Sequence, residues 1–339
     1  MKVWKLLSPK IFAEEERPDN IASPTQAKVK ITKVLLAYPE IRAYTGASDI
    51  HYPHVPGMYA VGVVAETGSE CIKVEKNTRV FLDGVAPCGE CAECRKGNGS
   101  NCLSPKIAGI DKDGFLRDFI VTEEANLSPL PSSVSEDAAL YAGIISLCEN
   151  IVDKLDAPKG THVAIIGAGE TGNILSQLLI YRQAVPILID TDEARLAAAA
   201  KCGIYYTLKA DENLLSGLSE ITGGRMAEGC VYTSFSGISA ALPFTITAPR
   251  GKVIFAGMEF PEMNVHLKPA LDKKLTLTGV SNEGGQSAAA INLLVNKAVD
   301  FAPLIAEEKS ASDIAALFAA RAELLEKENR VPPVILNMM

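Results

Sequence analysis

The sequence predicts an α/β fold in which a β-rich domain is followed by a doubly wound domain with a parallel sheet. Three observations support this prediction. Short β-branched runs, broken by glycine and proline, fill the first part of the chain. From Thr161 onward, buried apolar strands alternate with helical segments. The glycine-rich turn GAGETG, Gly167 to Gly172, lies between the first such strand and the first such helix.

The strands of the first domain are predicted from runs of alternating or β-branched residues between turn residues. They are AKVKITKVLLA (Ala27 to Ala37), AVGVVAE (Ala60 to Glu66), TRVFLD (Thr78 to Asp83) and RDFIVTEE (Arg117 to Glu124). A helical stretch from Ser135 to Leu155 follows, because Ser135 can cap a helix and Glu136 and Asp137 supply acidic residues to its first turn.

The second domain is predicted from strands and helices that alternate along the chain. THVAIIG and VPILID are its first two strands, with a helix from Glu170 to Tyr181 between them. A second helix runs from Glu193 to Lys201 and ends at Gly203. CVYTSF, GKVIFAG and KLTLTGV are further apolar strands, and the tail from Ala288 predicts two amphipathic helices and the strand VPPVILN.

Composition and charge argue against several classes of function. The chain has 339 residues, of which 47% are hydrophobic and 22% charged, as expected for two soluble domains. A net charge of -8 argues against nucleic acid or an anionic membrane as a partner. The start of the chain has no apolar signal segment, and the longest apolar run, AALYAGIISLC, is too short to span a bilayer. We therefore expect a cytoplasmic protein with a small-molecule substrate, and clustered cysteines that bind metal.

The turn GAGETG has the form of a dinucleotide-binding fingerprint. Gly167 allows a tight turn, Gly169 lets the backbone approach a pyrophosphate, and Gly172 permits close packing of the helix on the strand. Glu170 and Thr171 lie at the helix N-terminus, where backbone N–H groups attract phosphate charge. The sequence therefore predicts a pyrophosphate site at this turn.

The last residue of the next strand, and an arginine that follows it, indicate which cofactor the turn holds. Asp190 follows Gly172 by 18 residues and can accept hydrogen bonds from an adenosine ribose diol. Its negative charge would repel a 2′-phosphate, so we predict NAD(H) rather than NADP(H). Arg195, five residues further on, could flank the ribose. A purely structural glycine turn is the alternative, which the strand, the helix and the acid together disfavour.

A cysteine-rich lobe, PCGECAECRKGNGSNC, carries four cysteines with the spacing C-x2-C-x2-C-x7-C. They are Cys88, Cys91, Cys94 and Cys102. Four thiolates make a closed tetrahedral zinc site with no open position for chemistry, so we predict one structural zinc ion per chain. An iron–sulfur cluster could use the same ligands, but no other redox feature supports one.

These features together resemble the medium-chain dehydrogenase/reductase superfamily, which includes the zinc alcohol and polyol dehydrogenases. The resemblance covers nearly the whole chain and includes the Pro56–Gly57 turn, GFLRDFIV (Gly114 to Val121) and Arg250–Gly251–Lys252. It implies a GroES-like catalytic domain and a Rossmann NAD-binding domain, with the substrate held between them. It also implies a homodimer or a homotetramer.

The resemblance sets the expected domain boundaries. The GroES-like catalytic domain is expected at residues 1–145 and 286–339, with the zinc lobe at 86–103. The Rossmann domain is expected at residues 146–285.

Zinc members of the superfamily bind a catalytic metal at three positions, and the first of them holds no ligand in this chain. It falls on Ala37 when the family's Arg-x-Tyr-x-Gly is placed on residues Arg42 to Gly46. In an alternative alignment, based on the segment GASDIH from Gly46 to His51, it falls on Gly46. Neither alanine nor glycine can bind zinc.

The other two ligand positions are also changed. The second falls on Met58–Tyr59 after the Pro-Gly turn, and the third on Ala142–Gly143. A methionine thioether is a poor zinc ligand, and alanine and glycine offer no donor. The residues of the family's proton relay are replaced by Pro39 and Arg42. We therefore predict an active site that works without catalytic zinc.

Four residues are candidates for the remaining chemistry. Tyr59 and Tyr38 are expected to line the former metal pocket, with Glu40 and Arg42 nearby. A tyrosine hydroxyl can donate a proton, and an arginine can hold an anionic or oxygen-bearing group. Two alternatives stay open: packing as the only role of Tyr59 in the metal-free cavity, and an ion pair of Glu40 with Arg42 on the surface. A replacement metal site from His51, His54 and Glu40 lacks a supporting ligand spacing.

Three functions are compatible with these residues. The first is zinc-free interconversion of an alcohol and a carbonyl on a polar, sugar-like substrate. The second is hydride delivery to an activated carbon–carbon double bond, and the third is a non-catalytic NAD-binding regulatory protein. We favour catalysis, and the first reaction, because tyrosine and polar groups stand where aliphatic residues would have filled the pocket.

Overall fold

The computed structural model describes residues 1–18, 22–48, 50–233, 238–257, 265–281, 285–304, 307–328 and 331–338. The chain divides into two compact units, one of residues 1–143, 284–296 and 304–339 and one of residues 144–283 and 297–303. Asp49 of the alternative alignment lies outside the described residues, as do Ser234 and Phe235 of the predicted strand CVYTSF.

The first unit opens with an antiparallel hairpin of β1 (Lys2–Ser8) and β2 (Ile11–Glu16). The elements that follow are β3 (Gln26–Leu36), α1 (Tyr38–Thr45), β4 (Tyr59–Thr67), β5 (Arg79–Asp83), β6 (Val85–Ala86), α2 (Ala92–Arg95), β7 (Lys106–Ile107), β8 (Phe119–Glu123), β9 (Leu127–Pro129) and α3 (Glu136–Ala139).

The second unit is a parallel sheet with helices between its strands. Its elements are α4 (Ala142–Leu155, whose first two residues belong to the first unit), β10 (His162–Ile166), α5 (Glu170–Tyr181), β11 (Val185–Asp190), α6 (Glu193–Lys201), β12 (Tyr206–Lys209), α7 (Leu214–Ile221), β13 (Ala227–Tyr232), α8 (Leu242–Ile246), β14 (Thr247–Ala256), α9 (Lys268–Lys273) and β15 (Thr276–Val280). The strand order β12-β11-β10-β13-β14-β15 reverses direction at β10, as in a doubly wound Rossmann sheet.

The chain then contributes four more elements to the first unit. They are α10 (Ser287–Val295), β16 (Glu307–Ser310), α11 (Ile314–Glu328) and β17 (Val334–Asn337). With them the main sheet of this unit has the order β16-β17-β3-β4-β5-β9, with β8 paired to β3. The predicted α/β class, a β-rich unit plus a doubly wound parallel sheet, is confirmed. Among the described residues, no helix is both long and apolar enough to cross a membrane.

Local sequence explains most of these elements. The helices at Glu170–Tyr181 and Glu193–Lys201 and the strand at Val185–Asp190 have the predicted bounds. The helical stretch predicted from Ser135 to Leu155 is broken into α3 and α4 at Leu140 and Tyr141, both of which are fully buried. The β1–β2 hairpin, α1 and β16 were not predicted.

An aromatic cluster holds α11 to the start of the first unit. The Phe318 ring is fully buried and lies 4.7 Å from the Phe12 ring and 5.5 Å from the Tyr44 ring, measured between centroids. Tyr44 belongs to α1, so this cluster fixes the helix that leads from β3 into the candidate site. Burial of three rings supplies both apolar area and edge-to-face contacts.

Replacing Phe318 by alanine is expected to destabilise the first unit by about 3–5 kcal/mol, because a buried aromatic side chain would leave a cavity. Urea unfolding followed by fluorescence measures the loss. The control Tyr205→Ala removes a ring that is 86% exposed and should change stability by less than about 0.5 kcal/mol. Equal effects of the two variants would contradict the role given to the cluster.

Candidate functional site

The four lobe cysteines lie close enough together to share one metal ion. Their Sγ atoms all lie within 4.8 Å of one another, and Cys88–Cys94 and Cys91–Cys102 are each 3.9 Å apart. Sulfur atoms at the corners of a zinc tetrahedron are about 3.8 Å apart, since each Zn–S bond is about 2.3 Å. In the part of the chain that the structure describes, no other three His, Cys, Asp or Glu side chains form such a group. The lobe therefore fits a closed structural zinc site.

Backbone N–H groups of the lobe point at these sulfur atoms. The Cys91 Sγ accepts a hydrogen bond from the Cys94 N–H at 3.4 Å, and the Cys88 Sγ accepts one from the Cys91 N–H at 3.4 Å. The N–H groups of Cys94 and Leu103 lower the pKa of Cys91 to about 6, which favours the thiolate that binds zinc. Desolvation raises the pKa of Cys94 to about 12, and a cation at the centre would counter this by holding all four sulfurs as thiolates.

The glycine turn between β10 and α5 has the shape that a dinucleotide requires. Gly167 has a φ of 108°, a left-handed value that favours glycine. A Cβ on Gly172 would lie 1.8 Å from the Gly167 carbonyl oxygen, so α5 can pack against the turn only without a side chain there. A Cβ on Gly169 would meet nothing within 4 Å, which leaves open space for a phosphate at the start of the helix.

The carboxylate of Asp190 is tied to this turn. Its Oδ2 accepts a hydrogen bond from the Ala168 N–H at 2.6 Å, and its Oδ1 accepts one from the Asp192 N–H at 2.9 Å. A carboxylate has about four acceptor sites, so about two remain for a ribose diol. The Arg195 guanidinium lies 3.8 Å from Oδ2. The structure thus brings both predicted ribose residues to the end of β11, beside the turn.

The residues between the glycines occupy the first turn of α5. Desolvation raises the pKa of the Glu170 carboxyl, although the residue as a whole is partly exposed, and Arg195 counters this shift. The Thr171 carbonyl oxygen accepts a hydrogen bond from the Cys148 thiol at 3.5 Å. Both residues therefore lie at the N-terminus of the helix, where the sequence placed them. This unit fits NAD(H) by its turn, its helix and its acidic residue.

Glu40 joins Ala37 and Met58, to which the alignment assigns the first and second ligand positions, through their backbones. Its Oε2 accepts a hydrogen bond from the Ala37 N–H at 3.0 Å, and its Oε1 accepts one from the Met58 N–H at 3.1 Å. Burial raises the pKa of this carboxyl, while these N–H groups lower it. Glu40 is 7% exposed, so its contacts point to a structural role, in place of the surface pairing with Arg42 considered from the sequence.

The ring of Tyr59 lies against Gly143, one of the two residues to which the alignment assigns the third ligand position. A Cβ on Gly143 would lie 2.0 Å from Cε1 of Tyr59 and 2.4 Å from its Cζ. The ring is partly exposed and lies 6.2 Å from the Phe81 ring, while the neighbouring Met58 is buried. Glu40 thus joins Ala37 to Met58, and the next residue, Tyr59, lies on Gly143. Gly46 of the alternative alignment is the C-cap at the other end of α1.

Tyr38 and Arg42 form a pair one helical turn apart on α1. The Arg42 guanidinium carbon lies 5.7 Å from the centroid of the Tyr38 ring, and its Nη1 donates to the Tyr38 hydroxyl at 3.5 Å. Nη2 of Arg42 donates to the Ala47 carbonyl oxygen. Tyr38 is 42% exposed. The four predicted catalytic residues therefore make three separate contacts: Tyr38 with Arg42, Glu40 with Met58, and Tyr59 with Gly143.

The histidines do not assemble a replacement metal site in the described chain. His54 is 4% exposed and packs edge-on against Tyr52, with 5.5 Å between the ring centroids. Its backbone pairs with Leu6, and burial lowers its pKa. Neither His51 nor His54 joins Glu40 in a group of ligand atoms.

Asp83 is a candidate functional residue that sequence reasoning missed. It ends β5, directly opposite Tyr59 in the antiparallel β4–β5 pair. Residues opposite each other in such a pair point to the same face of the sheet, with Cβ atoms about 4.5–5.5 Å apart. The Asp83 Oδ2 accepts a hydrogen bond from the Ser287 hydroxyl at 2.6 Å. The strand TRVFLD was predicted, but its register against β4 has no local signal in the sequence.

Comparison with known proteins agrees with this architecture. The alcohol dehydrogenase GroES-like domain matches residues 23–132. An uncharacterized zinc-type alcohol dehydrogenase-like protein of Haemophilus influenzae is 25% identical over 86% of this chain and 88% of its own length. The sorbitol dehydrogenase of Halalkalibacterium halodurans is 23% identical over 89% of this chain and 90% of its own length.

A solved structure gives the same result for the fold. An alcohol dehydrogenase of Escherichia coli, crystallised with NADH, superposes with a TM-score of 0.87 at 19% identity, covering 100% of this chain and 99% of that one. The four-cysteine group agrees with the predicted zinc ion, and the glycine turn with its bonded Asp190 agrees with the predicted NAD(H). The matched GroES-like domain and the similarity over most of the chain support the predicted medium-chain dehydrogenase/reductase superfamily, and with it an NAD-dependent oxidoreductase of that type.

Proposed function

We propose that the protein interconverts an alcohol and a carbonyl on a small polar, polyol-like substrate, with NAD(H) and without a catalytic zinc ion. One observation carries the proposal. On the alignment preferred from the sequence, the metal-ligand positions of zinc members fall on Ala37, Met58–Tyr59 and Ala142–Gly143, and the Tyr59 ring lies on Gly143. The similarity to a sorbitol dehydrogenase supports a polyol-like substrate.

The chain's own residues can supply part of what a metal would do. When bound, NAD(H) accepts or donates the hydride. The Tyr59 hydroxyl can donate a hydrogen bond to the substrate oxygen, where negative charge develops as the carbonyl is reduced. Tyr59 is partly exposed, so its side chain can meet a ligand, while Glu40 fixes the turn that precedes it. The predicted assembly of two or four chains stays a prediction.

Metal analysis tests the absence of a catalytic zinc. The wild-type protein is expected to hold about one zinc ion per chain, because four thiolates complete one tetrahedron. Cys94→Ser should lose that ion, and the control Cys71→Ser should keep it, since Cys71 lies outside the cysteine group. Two zinc ions per chain in the wild type, with one retained in Cys94→Ser, would overturn the proposal.

Replacing Tyr59 by phenylalanine tests the role of its hydroxyl. We expect turnover to fall by about 10²- to 10³-fold, the usual effect of removing one donor to a developing oxyanion. Zinc content and NADH affinity should stay unchanged. A panel of polyols with NAD and of enones with NADH is assayed by absorbance at the nicotinamide band. The control Tyr205→Phe removes a hydroxyl from an exposed ring and should keep full activity.

The same panel separates the other two functions. Turnover of enones alone would replace the proposed reaction with reduction of a carbon–carbon double bond. Binding of NADH without turnover of either class would favour a regulatory protein. Full activity of Tyr59→Phe on a polyol would show that Tyr59 only packs in the pocket.

A further inference from the structure

The carboxylate of Asp83 is largely removed from water, although the residue as a whole is partly exposed. Burial raises its pKa, while the Ser287 hydroxyl, the Val85 N–H at 2.9 Å and the more distant Lys112 lower it. Among the residues that the structure describes, Asp83 has no ion pair within 4.0 Å. A desolvated carboxylate without a cation costs stability, so such a group is more often kept for function than for folding.

Asp83 lies on the same face of the sheet as Tyr59. It lies opposite Tyr59, and Phe81, two residues earlier on the same strand, also contacts the Tyr59 ring. The loop at Gly84 is fixed, because a Cβ there would lie 2.1 Å from the Met58 carbonyl oxygen. Asp83 is therefore held beside the residue proposed to bind the substrate oxygen.

A cavity beside Asp83 has room for water. Asp83 lines this cavity of about 190 Å³ together with the polar residues Lys112, Asp113, Thr122 and Asn126. The Asn126 amide donates to the Thr122 hydroxyl at 3.2 Å, so the lining offers hydrogen-bond partners for water. A cavity of this size holds several water molecules.

We propose that Asp83 is the proton acceptor of the active site, a role that rests on the proposed alcohol oxidation. The O–H bond of the substrate breaks and an O–H bond forms on the Asp83 carboxylate. The hydride, with its electron pair, leaves the adjacent carbon for the oxidised nicotinamide. Asp83 then gives the proton to water in the cavity and is ionised again. Tyr59 remains the hydrogen-bond donor to the substrate oxygen.

Several polar and titratable groups surround this carboxylate. Tyr59 faces it from β4 and the Ser287 hydroxyl from α10, while Lys112 and Asp113, in the loop after β7, line the same cavity. Its raised pKa brings it nearer to the pH of the reaction than an ordinary aspartate, which favours proton transfer in both directions. Alcohol oxidation should then fail as the pH falls through this pKa, because the carboxylate becomes protonated.

Asp83→Asn tests the proposal in the holoenzyme. We expect kcat for the polyol that the wild type oxidises to fall by about 10²- to 10⁴-fold, as for loss of a general base, with KM little changed. The acidic limb of the kcat–pH profile should disappear. The control Asp272→Asn makes the same change at a surface residue paired with Lys268 and should keep the rate and the profile.

Ser287→Ala provides a second test that leaves the carboxylate in place. The Ser287 hydrogen bond lowers the pKa of Asp83, so its loss should move the acidic limb to higher pH. This variant decides the matter if Asp83→Asn loses zinc or NADH binding. Wild-type kcat and pH profile in a folded Asp83→Asn, or an unmoved limb in Ser287→Ala, would overturn the inference alone. A wild type that oxidises no alcohol would overturn the proposed function, and this inference with it.

Discussion

The approach of the Tyr59 ring to Gly143 is the constraint on which the site depends. A side chain at position 143 would overlap the ring, since even a Cβ would lie 2.0 Å from Cε1. A metal ligand therefore cannot occupy that position while Tyr59 keeps its place. The residues at positions 59 and 143 are therefore coupled by packing, and the proposed zinc-free site depends on this pair.

Glu40 holds the backbone of the residue that precedes Tyr59 in place through a hydrogen bond. Its two oxygens accept hydrogen bonds from the N–H groups of Ala37 and Met58. These bonds connect the start of α1 to the Pro-Gly turn. Met58 in turn packs its carbonyl against Gly84, beside Asp83. Ala37, Met58 and Gly84 are thus held in one arrangement, and Asp83 on the next strand lies opposite Tyr59.

The parts that sequence reasoning predicts well are those with short-range geometry. The four lobe cysteines and the glycine turn depend on spacing within a few residues, so their patterns indicate a ligand directly. Helix α1 was not predicted, because Ala37 has no side chain that could cap a helix. The Ala37 N–H donates instead to the carboxylate of Glu40. The placement of Asp83 against Tyr59 depends on the pairing register of β4 and β5, which only the folded sheet defines.

A crystal of the protein with NADH, measured at the zinc absorption edge, tests the central claim most directly. The account predicts one anomalous peak, surrounded by Cys88, Cys91, Cys94 and Cys102. A second peak next to Met58 and Gly143 would contradict it.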